Sequence, residues 1–134
     1  MNEAERPCQG ILLIEDDADL MHIEAQLLRD EGYQVTAAAN GQEALDILRA
    51  PSDRLPCLIL LDLMMPVMDG WQFRAEQVRD PRLAMIPVVI VTADGRAAEK
   101  QARLDAAASL KKPVTLMQLL DTVQAFCGLP DPIQ

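Results

Sequence analysis

Apolar residues alternate along the chain between short continuous runs and stripes at helical spacing, and this alternation constrains the fold most. Residues 11–14 and 57–61 are unbroken apolar runs, which are typical of strands covered on both faces. Between such runs, apolar residues recur mostly three or four positions apart, as in Leu20, Ile23, Leu27 and Leu28. Stripes of this kind are typical of helices that pack one side against a sheet. The alternation therefore predicts a parallel sheet with helices on both faces.

Five units of strand and helix follow from this pattern. Strands are predicted at residues 11–14, 33–37, 57–61, 86–91 and 108–111. Helices are predicted around residues 20–28, 44–48, 71–79, 96–104 and 116–127, the first ending at Gly32 and the third at Asp80-Pro81. In so short a chain these units fit an α/β fold, a flavodoxin-like doubly wound (βα)5 three-layer sandwich with strand order 2-1-3-4-5.

Composition limits the class of protein. A chain of 134 residues is one domain by default, expected at residues 9–128 with flexible ends at 1–8 and 129–134 and no room for an output domain. The net charge of -9 argues against direct binding of nucleic acid, and no apolar run approaches the ~18 residues needed for membrane insertion. Three isolated cysteines argue against a disulfide framework and suit a reducing cytoplasm.

Acidic and polar residues stand where the predicted strands end. Glu15 and Asp16 follow the first strand and Asp62 follows the third, and these strands are neighbours in the predicted order. Carboxylates gathered at one edge repel each other and stay ionised only beside a cation, and an all-oxygen set suits Mg²⁺. Thr92 and Lys112 end the fourth and fifth strands. A nucleophilic carboxylate, a cation site, a hydroxyl and an ammonium together favour phosphoryl transfer onto an aspartate.

At two of these strand ends, two nearby residues of the same type could fill one role. Asp17 or Asp19 is expected to cap the first helix, because Asp is a preferred N-cap residue. Lys111 and Lys112 are adjacent, and strand alternation lets only one of them face the acidic residues. Lys112, which precedes a proline, is the predicted one, and Lys111 is expected to be solvated or to face a partner.

Four motifs in order give the chain a family resemblance. It resembles the receiver domains of response regulators in two-component signalling, and in particular stand-alone chemotaxis-type regulators. The resemblance covers residues 10 to 127 and rests on Ile14-Glu15-Asp16-Asp17, on residues 61–70 from Leu61-Asp62 to Asp69-Gly70, on Val91-Thr92-Ala93 and on Lys112-Pro113.

The resemblance implies roles for the acidic residues. Asp62 would be the phosphoacceptor. Asp16 and Asp62 would bind Mg²⁺ directly, with Mn²⁺ as the alternative ion, together with the backbone carbonyl of Met64. Glu15 would act through a water molecule.

The resemblance also implies how the phosphoryl group is held and supplied. Thr92 would bond a phosphoryl oxygen, with the small Ala93 beside it leaving room. Lys112 would pair with Asp62 and later with the phosphate, and Pro113 would follow a cis peptide bond, as it often does in the family. The donor would be a phosphohistidine on a sensor kinase or a histidine phosphotransfer protein.

Two positions in this family govern the access of the hydrolytic water, and here they fall on Met64 and Asp94. A methionine cannot orient a water molecule, whereas an aspartate can. Slow to intermediate self-dephosphorylation is therefore expected.

Three positions depart from the family pattern. Ser109 stands where most receivers carry the aromatic half of a threonine-aromatic switch, Val114 replaces the usual phenylalanine after the proline, and Asp105 occupies a frequent glycine position. These changes leave in place all the residues that the resemblance assigns to phosphorylation. The expected consequence is an output switch that differs from the usual one.

The resulting expectation is a single-domain response regulator. It would catalyse only its own phosphorylation and dephosphorylation, and it would signal to an unknown downstream protein or serve as a phosphorelay intermediate. One alternative is a receiver-like scaffold that works without phosphorylation, which Ser109 favours. Another is a Mg²⁺-dependent phosphatase, although Met64 stands where such an enzyme needs a second carboxylate.

Overall fold

Five parallel strands form the sheet in the computed structural model, which describes residues 10–51, 55–65, 67–93 and 95–129. The strand order β2-β1-β3-β4-β5 is the one predicted, so the flavodoxin-like fold is confirmed. The strands are β1 (Ile11–Ile14), β2 (Val35–Ala38), β3 (Leu58–Asp62), β4 (Val88–Thr92) and β5 (Ala108–Lys111).

Helices cover both faces of this sheet. Apolar side chains of α1 and α6 join the core on one face, and those of α2 to α5 join the core on the other face. The helices are α1 (Ala18–Asp30), α2 (Gly41–Arg49), α3 (Gly70–Arg79), α4 (Pro81–Ala84), α5 (Ala97–Leu104) and α6 (Leu116–Cys127). The result is the predicted three-layer sandwich.

The continuous apolar runs are explained by burial on both faces. In β1, Leu12 and Ile14 lie in the core under α2 to α5, whereas Ile11 and Leu13 lie in the core under α1 and α6. Successive side chains of a strand point to opposite faces, so each residue of the run packs into one core or the other. The same alternation decides the direction of the polar residue that follows each strand.

Helix ends follow the sequence signals. Asp17 is the N-cap of α1 and accepts from the backbone N–H groups of Asp19 and Leu20, which settles the choice between Asp17 and Asp19. Gly32 follows the C-cap of α1 with a φ of 102°, a left-handed conformation that glycine adopts without strain. The prediction that α1 ends at this glycine is confirmed.

Two apolar residues lie differently from the prediction. Ile23 is 55% exposed, because the buried side of α1 runs through Ala25 and Leu28 instead. Leu116, the first residue of the apolar stripe predicted for the last helix, is also exposed. The prediction that α3 ends at Asp80-Pro81 is confirmed, since its last residue is Arg79 and Asp80 is its C-cap. The short helix α4, which Asp80 also caps and Pro81 begins, was not predicted. A capping aspartate followed by proline at the first helical position is a start signal as well as a stop.

The cysteines differ from the expectation in one respect. Cys127 is a free thiol in the core, as expected of a small apolar filler. Cys57 is disulfide-bonded, so the expectation that the three cysteines are isolated is wrong, and with it the argument from the cysteines for a reducing cytoplasm. Cys8 lies outside the described residues, as do residues 1–8 and 130–134 of the two predicted flexible ends.

Among the described helices, none combines the length and the apolar character needed to cross a membrane.

Candidate functional site

The register of β1 and β3 brings two acidic side chains together. Ile14 lies opposite Leu61, so the next residues, Glu15 and Asp62, are side by side at the carboxyl end of the sheet. Strand alternation directs both side chains to the face that α1 and α6 cover. Glu15 is 3% exposed and Asp62 is 6% exposed, so two carboxyl groups share a largely buried position.

Asp16 completes an acidic cluster at the mouth of the site. One carboxylate oxygen from each of Glu15, Asp16 and Asp62 lies within 4.8 Å of the others, and Asp16 is exposed whereas the other two are buried. Three converging oxygen donors of this charge fit a hard divalent cation that keeps part of its water shell. The cluster is therefore a candidate metal site.

Asp62 is held in an environment that opposes its charge. The pKa of Asp62 is raised to about 7, first by burial and then by the hydrogen bond and the negative charge of Glu15. The backbone N–H of Met64, which donates to Asp62 Oδ1 at 3.2 Å, and the Lys112 ammonium act in the opposite direction. The raised pKa means that the charged form of Asp62 is disfavoured in this environment, and a bound cation would favour it.

Lys112 supplies the counter-charge. Its Nζ donates to Glu15 Oε1 at 2.9 Å and lies 3.4 Å from Asp62 Oδ2. Burial opposes the charge of Lys112, but the hydrogen bond to Glu15 and the charges of Asp62 and Glu15 outweigh burial and raise the pKa of Lys112. Lys111 is exposed, and the Lys112-Pro113 peptide bond is cis.

The other predicted site residues lie around this cluster. Thr92 ends β4, is buried, and its carbonyl accepts from the Lys112 backbone N–H at 2.9 Å. Ala93 follows it and is exposed. The side chain of Met64 is 72% exposed. Asp94 lies outside the described residues, and its predicted role in dephosphorylation stays a prediction.

Gly70 holds the loop after Asp62 close to the end of β3. Its backbone N–H donates to the carbonyl of Leu63 at 3.1 Å. A Cβ atom on Gly70 would lie 2.8 Å from the Asp62 carbonyl oxygen and 2.8 Å from Leu63 Cα, distances that only glycine tolerates. Asp69 then starts α3 with a capping box to Gln72. The loop therefore packs firmly against the strand that carries Asp62.

Glu24 is a polar residue near the site that the sequence analysis missed. It lies on α1 and lines a small cavity with Glu15 and Asp62. Its position, four residues after Leu20 and four before Leu28, places it in the inward stripe of α1. A charged residue inside an apolar stripe is the sequence signal that could have found it.

Ser109 makes a contact in place of the missing aromatic residue. Its Oγ donates to Gln101 Oε1 on α5 at 2.9 Å. The carbonyls of Leu104 and Asp105, at the end of α5, accept from the Arg74 guanidinium of α3. Polar contacts therefore connect α5 to β5 and to α3 around Ser109, the position where an aromatic side chain is missing.

Comparison with known proteins gives a consistent result. The family model of the response regulator receiver domain matches residues 11–124. Protein PilH of Pseudomonas aeruginosa is 32% identical over 117 residues, which cover 86% of this chain and 94% of PilH.

Solved structures show the same similarity. The chemotaxis response regulator CheY4 of Vibrio cholerae superposes with a TM-score of 0.78 at 28% identity, covering 87% of this chain and 97% of CheY4. The phosphorylated cyanobacterial phytochrome response regulator RcpA gives a TM-score of 0.72 at 29% identity, covering 87% of this chain and 89% of RcpA.

Proposed function

The chain belongs to the family of response regulator receiver domains, and we propose on that premise that it accepts a phosphoryl group on Asp62. The donor is a phosphohistidine of a sensor kinase or a histidine phosphotransfer protein. The phosphorylated chain then acts through contacts with a downstream protein or passes the group on in a phosphorelay. It catalyses no reaction besides its own phosphorylation and dephosphorylation.

One observation carries this proposal: the Asp62 carboxyl belongs to an acidic cluster and also lies beside an ammonium. Glu15 and Asp16 each offer an oxygen within 4.8 Å of an Asp62 oxygen, and Lys112 Nζ lies 3.4 Å from Asp62 Oδ2. This arrangement supplies a nucleophile together with positive charge for the phosphoryl oxygens, which are the two requirements of phosphoryl transfer to a carboxylate.

Four residues of the chain would take part in the phosphoryl transfer. An Asp62 oxygen forms the new bond to phosphorus while the phosphorus–nitrogen bond to the donor imidazole breaks, and the electron pair of that bond stays on the nitrogen. Lys112 shifts from the carboxylate pair to a phosphoryl oxygen. Thr92 bonds a second phosphoryl oxygen, with Ala93 leaving space beside it.

A divalent cation is part of the proposal. Asp16, Asp62 and the backbone carbonyl of Met64 would hold Mg²⁺, or Mn²⁺ in its place, and Glu15 would act through a water molecule. When bound, such an ion neutralises the acidic cluster and the phosphoryl oxygens. The raised pKa of Asp62 supports this proposal, because the buried carboxylate pair lacks enough positive charge from Lys112 alone.

The comparisons support phosphorylation in relatives, since the structure of RcpA is that of a phosphorylated protein. A cytoplasmic location is also part of the proposal, because phosphohistidine donors of this kind draw their phosphate from ATP there.

The proposal is tested by incubating the chain with acetyl phosphate, with and without Mg²⁺, and measuring the intact mass. We expect a gain of one phosphoryl group that requires Mg²⁺, in the native chain and in the Asp46→Asn variant. Asp46 is an exposed residue of α2 and serves as the matched control. Asp62→Asn should show no gain.

Two other outcomes would contradict the proposal. Mg²⁺ binding without any phosphoryl gain would favour a binding scaffold that works without phosphorylation. Steady release of inorganic phosphate from many phosphate esters would favour a phosphatase.

A further inference from the structure

The segment that joins β2 to α2 contacts both halves of the proposed cation site. At its start, the Ala38 carbonyl accepts a hydrogen bond from the backbone N–H of Glu15 at 3.0 Å. At its end, the backbone N–H of Gly41 donates to the Met68 carbonyl, also at 3.0 Å. Met68 belongs to the loop that leads from Asp62 to α3. Residues 38–41 therefore connect the end of β1 to this loop.

The bond to Met68 satisfies a group that α2 cannot satisfy by itself. Gly41 is the first residue of α2, after the N-cap Asn40, and N–H groups in a first turn have no acceptor in their own helix. The Asn40 side chain accepts from the Glu43 N–H at 2.9 Å, and the Glu43 side chain accepts from the Ala39 N–H at 3.2 Å. These two bonds fix the start of α2, so the Gly41 N–H is a firm attachment point for the loop.

Only glycine allows the loop to come this close to α2. A Cβ atom at position 41 would lie 2.8 Å from Met68 Cγ, 2.9 Å from the Met68 carbonyl oxygen and 3.0 Å from Met68 Sδ. The side-chain atoms can rotate away, but the carbonyl oxygen is backbone and cannot. Alanine is a better helix former than glycine, so α2 itself gains nothing from Gly41. Any larger residue at this position would push the loop away from the helix.

A displacement at Met68 reaches Met64, because the loop is closed at its base. The Gly70 N–H donates to the Leu63 carbonyl at 3.1 Å, and the Met64 N–H donates to Asp62 Oδ1 at 3.2 Å. Met64 and Met68 thus belong to one short closed loop, in which one residue cannot move without adjustment of the others. The Met64 carbonyl is the proposed backbone ligand of the cation.

We infer that Gly41 is a positioning residue for the cation site, because it holds the loop that carries the Met64 carbonyl against the segment bonded to Glu15. This inference rests on the proposed function. Coupling between two sites is reciprocal, so a cation bound by the loop stabilises the Gly41–Met68 contact as much as that contact favours the cation. The coupling can therefore be measured from either side.

The first measurement is the Mg²⁺ affinity of the full chain, by calorimetry. Gly41→Ala should bind Mg²⁺ about tenfold more weakly than the native chain, as is usual when the support of a metal ligand is lost. Gly10→Ala is the matched control, because the same change before β1 makes its closest contact at an ordinary 3.4 Å. Ala44→Gly weakens α2 at a buried position without adding an atom beside Met68. Both controls should bind Mg²⁺ as the native chain does.

The second measurement needs no variant and so decides alone if Gly41→Ala fails to fold. Amide hydrogen exchange is followed by NMR on the native chain, with and without saturating Mg²⁺. Exchange of the Gly41 N–H should slow about tenfold with Mg²⁺, the same factor measured from the other side of the coupling. The Ala50 N–H donates to the Asp46 carbonyl at 3.1 Å, at the far end of α2, and should change clearly less.

The inference is overturned if Gly41→Ala binds Mg²⁺ as tightly as the native chain, or if Ala44→Gly weakens binding by the same factor. It is also overturned if Mg²⁺ leaves the exchange of Gly41 unchanged, or slows Gly41 and Ala50 equally. A native chain that binds no Mg²⁺ would instead overturn the cation of the proposed function. The two failures are therefore distinguishable.

Discussion

Met64 is the residue with the simplest expected effect on the lifetime of a phosphorylated state. It follows Asp62 by two positions, and its side chain is 72% exposed, so it lies at the surface without a group that orients water. An asparagine amide both donates and accepts hydrogen bonds. Met64→Asn should therefore speed the loss of the phosphoryl group about tenfold, measured as the decay of the phosphorylated mass after removal of the donor. An unchanged lifetime would show that position 64 does not control the hydrolytic water.

Glu24 makes a specific contribution to the pH dependence of stability. Its pKa is raised from 4.5 to about 7 in the fold, so the folded chain keeps a proton that the unfolded chain releases. The stabilising contribution of Glu24 is thus present at low pH and is lost as the pH rises from about 4.5 to about 7.

Glu24→Gln removes this titration. Its unfolding free energy, relative to that of the native chain, should rise by about 1 kcal/mol between pH 4.5 and pH 8, after allowance for solvent screening. Urea unfolding in the presence of a chelator measures the difference, with Glu31→Gln as control. A difference that stays constant with pH, or that falls, would contradict the assigned environment of Glu24.

The sequence was informative about the residues at strand ends and less so about residues on helices. Glu15, Asp16, Asp62 and Lys112 could be placed together because strand order and alternation determine where a strand delivers its last side chain. The position of Glu24 near that cluster depends on how α1 is rotated against the sheet. Ile23 was expected to be buried but is exposed, so the apolar stripe alone does not determine this rotation.

Among the loops, the connection from β3 to α3 contains a strained residue. Val67 has a φ of 68°, in the left-handed region where a β-branched residue is a clear outlier, and its side chain is 80% exposed. Little packing is therefore lost when the side chain is removed.

Val67→Gly should raise the unfolding free energy by about 1 kcal/mol, since glycine adopts this conformation without a Cβ clash. Val67→Ala keeps a Cβ atom and should gain much less. Urea denaturation of the two variants tests this, and a loss of stability in Val67→Gly would show that the backbone of this loop is not strained.

The short helix α4 shows why some elements could not be predicted. It follows Asp80 directly after α3, and the carbonyls of Leu83 and Ile86 at its end accept from the buried side-chain amide of Gln77 at 2.9 and 3.1 Å. A glutamine on α3 is an ordinary surface residue by pattern alone. Its role becomes visible only when α3 and β4 are packed together.

For the whole molecule, the proposed cation links the site to stability. A ligand that binds only the folded chain raises the unfolding free energy by about 1.4 kcal/mol at ten times its dissociation constant. Mg²⁺ at that ratio should stabilise the native chain by this amount at neutral pH, and Asp16→Asn should gain clearly less under the same conditions. Thermal or urea unfolding with Mg²⁺ and with chelator measures both. An equal gain in the two proteins would argue against a cation at the acidic cluster.

The architecture of the whole molecule was the most predictable level. Strand order, the two helical layers and the cores on both faces follow from apolar runs and stripes, because burial on both faces of a parallel sheet leaves few arrangements. The consequence of Ser109 was not predictable, because its bond to Gln101 joins β5 to α5 through two side chains that no local pattern pairs.

The most direct test of the central claim is to locate the phosphoryl group. After incubation with acetyl phosphate and Mg²⁺, borohydride reduces an aspartyl phosphate to the corresponding alcohol, homoserine, which peptide mass spectrometry can place in the chain. We expect homoserine at position 62 and at no other aspartate, with none formed when Mg²⁺ is chelated. Homoserine at another position, or an unmodified Asp62 in a chain that has taken up phosphate, would contradict it.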